Sequence, residues 1–327
     1  MRLFRHWSEV PADLRGGVLS LGNFDGIHLG HQAVLAKTVA LARAKGVPAG
    51  VMTFEPHPRL FFKPEQEPFR LSPFRIKARM IEILGLDYLY VQTFDRDFSQ
   101  RPAENFVEEV LVGGLGVSQI VVGYDYVFGH QRRGNVALLE KLAPQHGFTV
   151  TSVGELAGPS GVRYSSTTIR NHLKDGRPDE AAALLGRFWE IEGRVEHGDQ
   201  RGRTIGFPTA NVPHGGYLHP KKGVYAVSAG IDEGAGTVWR SGVANFGNRP
   251  TFDKKDVLLE AHLFDFNGDL YTRHLRVALI DYIRPEQKFS GLDELKAQIA
   301  MDGAQARVLL QRRGLDAPAA APFVAVS

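Results

Sequence analysis

A change of rhythm near Leu185 constrains this 327-residue chain more than any other feature. Through the first half, β-rich runs at 18–21, 50–54, 88–93, 119–123 and 149–153 alternate with helical patterns. Short apolar runs of this kind are the form taken by strands buried on both faces. The alternation therefore predicts a parallel sheet covered by helices, with ligands at the carboxyl ends of its strands. The run from His31 to Lys45 places Val34, Leu35, Thr38, Val39, Leu41 and Ala42 at helical spacing before Gly46. A second helix is predicted from Ser72 as N-cap and Pro73 as first helical residue up to Gly85, and a third from Pro102 towards Gly113. Beyond Leu185, strand-like runs at 190–196, 223–230, 238–245, 257–266 and 270–283 follow one another without helices, which predicts an antiparallel barrel or sandwich. Asn267-Gly268 between two of these runs signals a two-residue hairpin. A helix over 292–312 with Leu295, Ile299 and Leu309 on its apolar side ends the pattern, and an Ala/Pro-rich tail over 316–327 is expected to be disordered. The expected organisation is an α/β N-terminal domain over residues 1–184 and a mainly antiparallel β-barrel C-terminal domain with a terminal helix over 185–315.

Composition narrows the function. With 43% hydrophobic and 23% charged residues the chain can bury a sizeable core. It has no cysteine, which excludes disulfides, thiolate nucleophiles and Cys-ligated metal sites, so any metal must bind oxygen or histidine nitrogen. The 39 basic against 36 acidic residues leave a net charge of +3, and the basic residues are scattered. That falls short of a nucleic-acid binder, so no nucleic-acid partner is expected. No run reaches the roughly eighteen apolar residues of a membrane span, and Met1 to Val10 lacks the apolar stretch of a secretory signal. A cytoplasmic protein without a membrane partner, monomeric or a weak homo-oligomer, is expected.

The first predicted strand runs into Gly22-Asn23-Phe24-Asp25-Gly26-Ile27-His28-Leu29-Gly30-His31 and then a helix. Glycines let backbone amides approach a phosphate, and a helix start offers unpaired N–H groups and the positive end of its dipole. His28 and His31, three apart around Gly30, suit two donors gripping one phosphoryl group, a task of positioning and charge stabilisation. A helix-capping turn with two surface histidines fits the bare pattern equally well. In Arg163-Tyr164-Ser165-Ser166-Thr167-Thr168-Ile169-Arg170, hydroxyls enter a helix between two arginines. Hydroxyls alone make N-caps, whereas Arg163 and Arg170 add planar donors for phosphate oxygens. His57, beside two prolines, follows the second strand at the ligand edge, where a binding contact and a purely structural histidine fit equally well. Gly123-Tyr124-Asp125-Tyr126-Val127-Phe128-Gly129 follows the fourth, pairing aromatics with a carboxylate where a planar substrate or plain core packing would both fit.

In the second half, the glycine-rich run 198–207, including Gly202, leads into Pro208-Thr209-Ala210-Asn211. The chain lacks the G-x-x-x-x-G-K-[ST] phosphate loop, so a kinase here needs another way to hold ATP. Thr209 and Asn211 are two apart, and an extended segment sends both side-chain oxygens to one side, which suits Mg²⁺. The preceding run could fold over phosphates as a flap, and an ordinary glycine-rich turn reads the same. Glu260, a carboxylate in an apolar strand, is either a pocket-lining acceptor for a hydroxyl proton or a residue on a solvated face. Arg284 and Glu286 close the last strand and either line the same mouth or form a charged turn.

Together these motifs, with Gly134-Asn135, Gly223-Val224-Tyr225, Arg249-Pro250-Thr251-Phe252 and Lys288-Phe289, resemble the bacterial bifunctional riboflavin kinase/FMN adenylyltransferases, or FAD synthetases, over roughly residues 15 to 312. The resemblance implies a Rossmann-like nucleotidyltransferase domain followed by a riboflavin kinase barrel, both using ATP and Mg²⁺, that convert riboflavin to FMN and FMN to FAD. It implies Glu260 as general base, Thr209 and Asn211 as Mg²⁺ and ATP-phosphate ligands, and His28 and His31 as stabilisers of the α-phosphate and pyrophosphate. Gly22, Asn23, Phe24, Gly30, Arg163, Ser166, Thr167, Arg170 and Gly202 would hold ATP or its phosphates. His57, Asp125, Tyr126, Arg284 and Glu286 would face the flavin. Thr272 stands where the family usually has glycine, Tyr126 where it has phenylalanine, and Pro285 where an acidic residue is common. An enzyme that keeps H-x-G-H but takes another acceptor, such as a pantetheine or alcohol phosphate, with a flavin-sensing barrel, is the competing expectation.

Overall fold

Strand runs too apolar to leave either face in water settle the first half. The computed structural model describes residues 1–158, 161–197, 206–232, 236–248 and 257–316, so the predicted flap at 198–205, with Gly202, the segment 249–256 and the tail beyond 316 lie outside the described residues. The contacts of the chain divide it into two units, Met1–Glu67 with Ser72–Tyr164, and Pro68–Leu71 with Ser165 onwards.

The first unit contains β1 (Arg2–Phe4), β2 (Val18–Leu21), β3 (Ala49–Glu55), β4 (Tyr88–Thr93), β5 (Gln119–Gly123), a two-stranded ribbon of β6 (Val127–Phe128) with β7 (Gly134–Asn135), and β8 (Thr149–Val153). Six of them form one parallel sheet in the order β1-β4-β3-β2-β5-β8. Connections from β2 lead to β3 and β4 on one side while β5 leads to β8 on the other, so the strand order reverses between β2 and β5. Loops leaving the carboxyl ends of those strands open a crevice there. Leu19, Leu21, Met52, Tyr90, Ile120 and Val122 are buried with Phe106, Val110, Leu111 and Leu139 in the core beneath it.

Its helices are α1 (Leu29–Lys45), α2 (Pro58–Phe62), α3 (Phe74–Ile83), α4 (Arg96–Ser99), α5 (Ala103–Asn105) and α6 (Val136–His146). α1 starts two residues earlier than predicted because His28 is its N-cap, its side chain accepting from the His31 N–H. α3 starts later than predicted. Ser72 is not its cap, because Pro73 precedes the helix without a side-chain cap bond and the Ser72 N–H donates to Asp25 Oδ1 at 2.9 Å. The third predicted helix is α5 continued by the wider turns of a π-helix over Phe106–Gly114, with the Leu115 N–H reaching back to Val110 O.

The second unit opens with α7 (Ser166–Lys174) and α8 (Pro178–Leu185), followed by β9 (Glu190–Arg194), β10 (Ala210–Pro213), β11 (Gly223–Asp232), β12 (Thr237–Asn248), β13 (Val257–Leu263), β14 (His274–Arg284) and α9 (Leu292–Arg312). The sheet is antiparallel in the order β10-β13-β12-β11-β14-β9. A bridge between Glu196 and Asn211, with the Glu196 N–H donating to Asn211 O at 2.9 Å, brings its two edges together as a nearly closed barrel. Rows Val212–Leu259–Phe246 and Ala210–Ala261–Ala244 are buried across β10, β13 and β12.

One expectation fails here. Asn267-Gly268 is not a hairpin turn, since β13 pairs with β10 and β12 while β14 pairs with β11 and β9. The chain must cross the barrel end, and the positive φ values fall instead on Asp265 (54°) and Thr272 (62°). The fully buried stripe of α9 is Asp302, Ala306 and Leu310, with Leu295, Ile299 and Leu309 half-buried. Asp302 belongs to the buried stripe because its carboxylate takes Arg284 in two hydrogen bonds, Nε at 2.8 Å and Nη2 at 2.7 Å.

Candidate functional site

The first site lies at the carboxyl ends of β2 and β5. Leaving β2, the chain turns sharply, with φ of 48° at Phe24, 90° at Gly26 and 42° at Ile27. Strain of this sort persists only where surroundings over-determine it. The surroundings are explicit: Asp25, 3% exposed, accepts from the Ser72 N–H, Asn23 O accepts from the Thr53 hydroxyl at 3.2 Å, and Gln32 Nε2 donates to Ile27 O at 2.9 Å. Asp25 is thus a structural anchor of the turn.

His28 and His31 stack face to face, 3.6 Å between ring centroids. The His31 N–H donates to His28 Nδ1 at 3.2 Å, which assigns the neutral His28 proton to Nε2, where it can be offered to an anion. Phe24 lies edge-on to His31 and is buried, so its ring supports the stack. Gly30 permits the stack: a Cβ there would lie 3.2 Å from the His28 ring and 3.2 Å from Tyr164 Cβ. The same contact brings the start of the arginine–hydroxyl segment beside the histidines. Asn23 is exposed, and Gly22 is half-buried where a Cβ would meet the Phe24 ring at 2.9 Å.

After β5, Asp125 is exposed and pairs with Arg163 Nη2 at 2.8 Å. Arg163 also reaches Glu155 at 3.2 Å and lies over the Tyr124 ring. Exposed pairs of this kind contribute about 0–1 kcal/mol, so a polyphosphate competes with them readily. Tyr126 turns the other way, stacking on Phe128 in the core. Burial pushes its phenol well above its ordinary range. His57 is buried at the start of α2, where its Nδ1 accepts from the Arg59 N–H at 3.1 Å, a capping role. Ser166, Thr167 and Arg170 belong to the second unit. Ser165 caps α7 by accepting from the Thr167 N–H, Ser166 is half-buried, and Arg170 Nε donates to Phe69 O at 2.9 Å.

The second site is a polar row on the barrel. Register places Asn211 (β10), Glu260 (β13) and Asn245 (β12) side by side, on the opposite face from the buried row Val212–Leu259–Phe246. Glu260 is exposed at the centre of this row. Asn211 Oδ1 is buried without a hydrogen-bond partner among the described residues. An orphaned amide oxygen fits a hard cation, and Thr209 is exposed two residues before it. Among the described residues no group of three His, Cys, Asp or Glu could hold a metal, so a cation here would depend on these neutral oxygens, waters and a substrate's phosphates. Glu286 joins the row, because a Cβ on Gly247 would lie 1.9 Å from its Oε1 and 3.2 Å from Asn245 Nδ2. Arg284 does not join it, its guanidinium being held by Asp302. Asn245 and Gly247 are members that sequence reading missed. A strand interior gives no signal of which side chains face a partner strand's carboxylate.

Comparison with known proteins follows the same division. A family model for FAD synthetase matches residues 10–168 and one for riboflavin kinase residues 185–310. The chain is 44% identical over 322 residues to the bifunctional riboflavin kinase/FMN adenylyltransferase of Escherichia coli strain K12, covering 98% of this chain and 100% of the relative. Its counterpart from Bacillus subtilis strain 168 is 39% identical, covering 88% and 91%. A crystal structure described as a macrolide-efflux protein from Streptococcus pneumoniae superposes with a TM-score of 0.81 at 31% identity, covering 93% and 98% of the two chains. No helix among the described residues is long and apolar enough to cross a membrane.

Proposed function

The chain belongs to the bifunctional riboflavin kinase/FMN adenylyltransferase family, and from that premise we propose how its residues divide two reactions. The protein phosphorylates riboflavin to FMN and adenylylates FMN to FAD. We assign FMN adenylylation to residues 1–184 and riboflavin phosphorylation to residues 185–315. One observation carries the assignment: two differently built folds each hold a polar constellation of their own, the His28/His31 stack at a sheet switch point and the Asn211–Glu260–Asn245 row on a barrel.

In adenylylation an oxygen of the FMN phosphate attacks the α-phosphorus of ATP and the bond to the bridging oxygen of pyrophosphate breaks. His28 Nε2–H and His31 donate to the oxygens on which charge grows, while Gly22, Asn23, the backbone of Phe24 and Gly30 let the polyphosphate lie close. Arg163 leaves its exposed pairing with Asp125 to take phosphate oxygens, and Ser166, Thr167 and Arg170 add donors at the mouth of α7. Asp125 and the rings beside it face the flavin, with Tyr126 acting from beneath and His57 fixing the loop after β3. In phosphorylation Glu260 accepts the proton of the ribityl hydroxyl as that oxygen attacks the γ-phosphorus and ADP leaves. Thr209 and Asn211 would hold Mg²⁺, which when bound would neutralise phosphate charge. Glu286 orients the flavin chain and Arg284 supports it through Asp302. We place the protein in the cytoplasm as a monomer or weak homo-oligomer, without nucleic-acid or membrane partners.

The test is a time course of the purified chain with riboflavin, ATP and Mg²⁺, flavins being separated chromatographically, with a parallel tube containing chelator. FMN preceding FAD, and neither forming in chelator, is the expected result. FMN formation from riboflavin that persists in a fully chelated tube would overturn the metal assignment.

A further inference from the structure

Lys77, on α3, is among the largest fully buried side chains of the protein, 1% exposed, and the reactions as assigned make no use of it. Burying an ammonium costs several kcal/mol in desolvation, which an apolar residue of that length would avoid. Its partners show where the charge is directed. Nζ donates to Glu55 Oε1 at 3.4 Å and to Thr53 Oγ1 at 3.3 Å, both on β3. The Thr53 hydroxyl, accepting from Lys77, must use its single proton as a donor, and it donates to Asn23 O at 3.2 Å. Asn23 is the residue from which the chain enters the strained turn Phe24–Ile27 that leads to His28. The same helix region grips the turn again through the Ser72 N–H on Asp25.

We propose that Lys77 and Thr53 are positioning residues for FMN adenylylation: a buried relay, Lys77 to Thr53 to the Asn23 carbonyl, fixes the phosphate-cradling turn and hence the placing of His28. The inference rests on the reading that this turn holds the transferred phosphoryl group. An ammonium that donates only, passing through a hydroxyl that is thereby forced to donate onward, sets one orientation of the Asn23 peptide. The relay acts through backbone placement, so its loss lowers turnover while leaving substrate affinity nearly unchanged, a misplacement of the order of 1 Å being enough to slow such chemistry by up to about a hundredfold.

Thr53→Val keeps shape and removes the hydroxyl, Thr53→Ser restores it, and Lys77→Met removes the charge at similar length. Steady-state FAD formation from supplied FMN and ATP is measured for each in the full chain, with riboflavin phosphorylation by the same chain as reference and His28→Ala as the site control. The expected result is a fall in adenylylation kcat of about tenfold to a hundredfold for Thr53→Val and Lys77→Met. KM values and kinase rate should stay near those of the parent, and Thr53→Ser should recover the rate. Unchanged kcat in Thr53→Val while His28→Ala is inactive overturns the relay alone. Loss spread over kcat and both KM values, or no recovery in Thr53→Ser, overturns it as well, marking a general packing defect. Full activity of His28→Ala overturns the reading of the turn and the relay with it.

Discussion

Replacing Glu260 by glutamine separates the two activities and can be sized from the structure. Glu260 is exposed in the middle of β13, its backbone paired with Asn211 on one side and Asn245 on the other, so the amide keeps volume and register while losing the ability to take a proton. Exposed substitutions of this kind change stability by about 0.5 kcal/mol or less. A general base contributes about 10² to 10⁴ in rate, and at about 1.36 kcal/mol per decade that is about 2.7 to 5.4 kcal/mol of barrier. The kinetic effect therefore exceeds the stability effect at least about fivefold, and unfolding cannot imitate it. Riboflavin phosphorylation followed chromatographically should fall by at least about a hundredfold, while FAD formation from supplied FMN stays at the parent rate. Glu260→Asp, which withdraws the carboxylate by one methylene, should retain an intermediate rate. A kinase rate within about threefold of the parent in Glu260→Gln, or an adenylylation rate that falls in step with it, would refute the reasoning.

Three further outcomes follow from other parts of the structure. Gly30→Ala puts a methyl 3.2 Å from both the His28 ring and Tyr164 Cβ, so adenylylation should drop about tenfold while the kinase rate is kept. His214, buried between Tyr217, His219 and Phe246 with Nε2 donating to Leu218 O, has its pKa pushed down to about 4 by burial. The folded state then holds fewer protons than the unfolded state between about pH 6.5 and 4, so about 3 kcal/mol of stability is lost as pH falls through that window. Denaturant titrations across the window should show this slope in the parent and not in His214→Gln. Asp302→Ala strands the Arg284 guanidinium, whose side chain is only 17% exposed, and should destabilise the barrel by about 3 kcal/mol in urea unfolding, with Arg284→Met, Asp302→Leu together recovering most of it.

Local chemistry was legible wherever a residue's role depends on its immediate neighbours in the chain. The β-then-α alternation, the strand-only second half and the Gly22–His31 turn are of this kind, because side-chain period and glycine freedom act over a few residues. The sequence could not say which strand pairs with which. Asn267-Gly268 carries the local chemistry of a hairpin, but the closing barrel needs β12 and β11 between β13 and β14, and the burial gained by closure overrides a turn preference worth little alone. Nor could it assign partners to charged groups. Arg284 is committed to Asp302 eighteen residues away, Asn245 stands beside Glu260 only through register, and Lys77 meets Thr53 only once α3 packs on β3. Pattern along the chain thus determined the two folds and the local motifs. Packing decided which buried polar groups find each other, because the cost of leaving one unpaired is settled only in three dimensions.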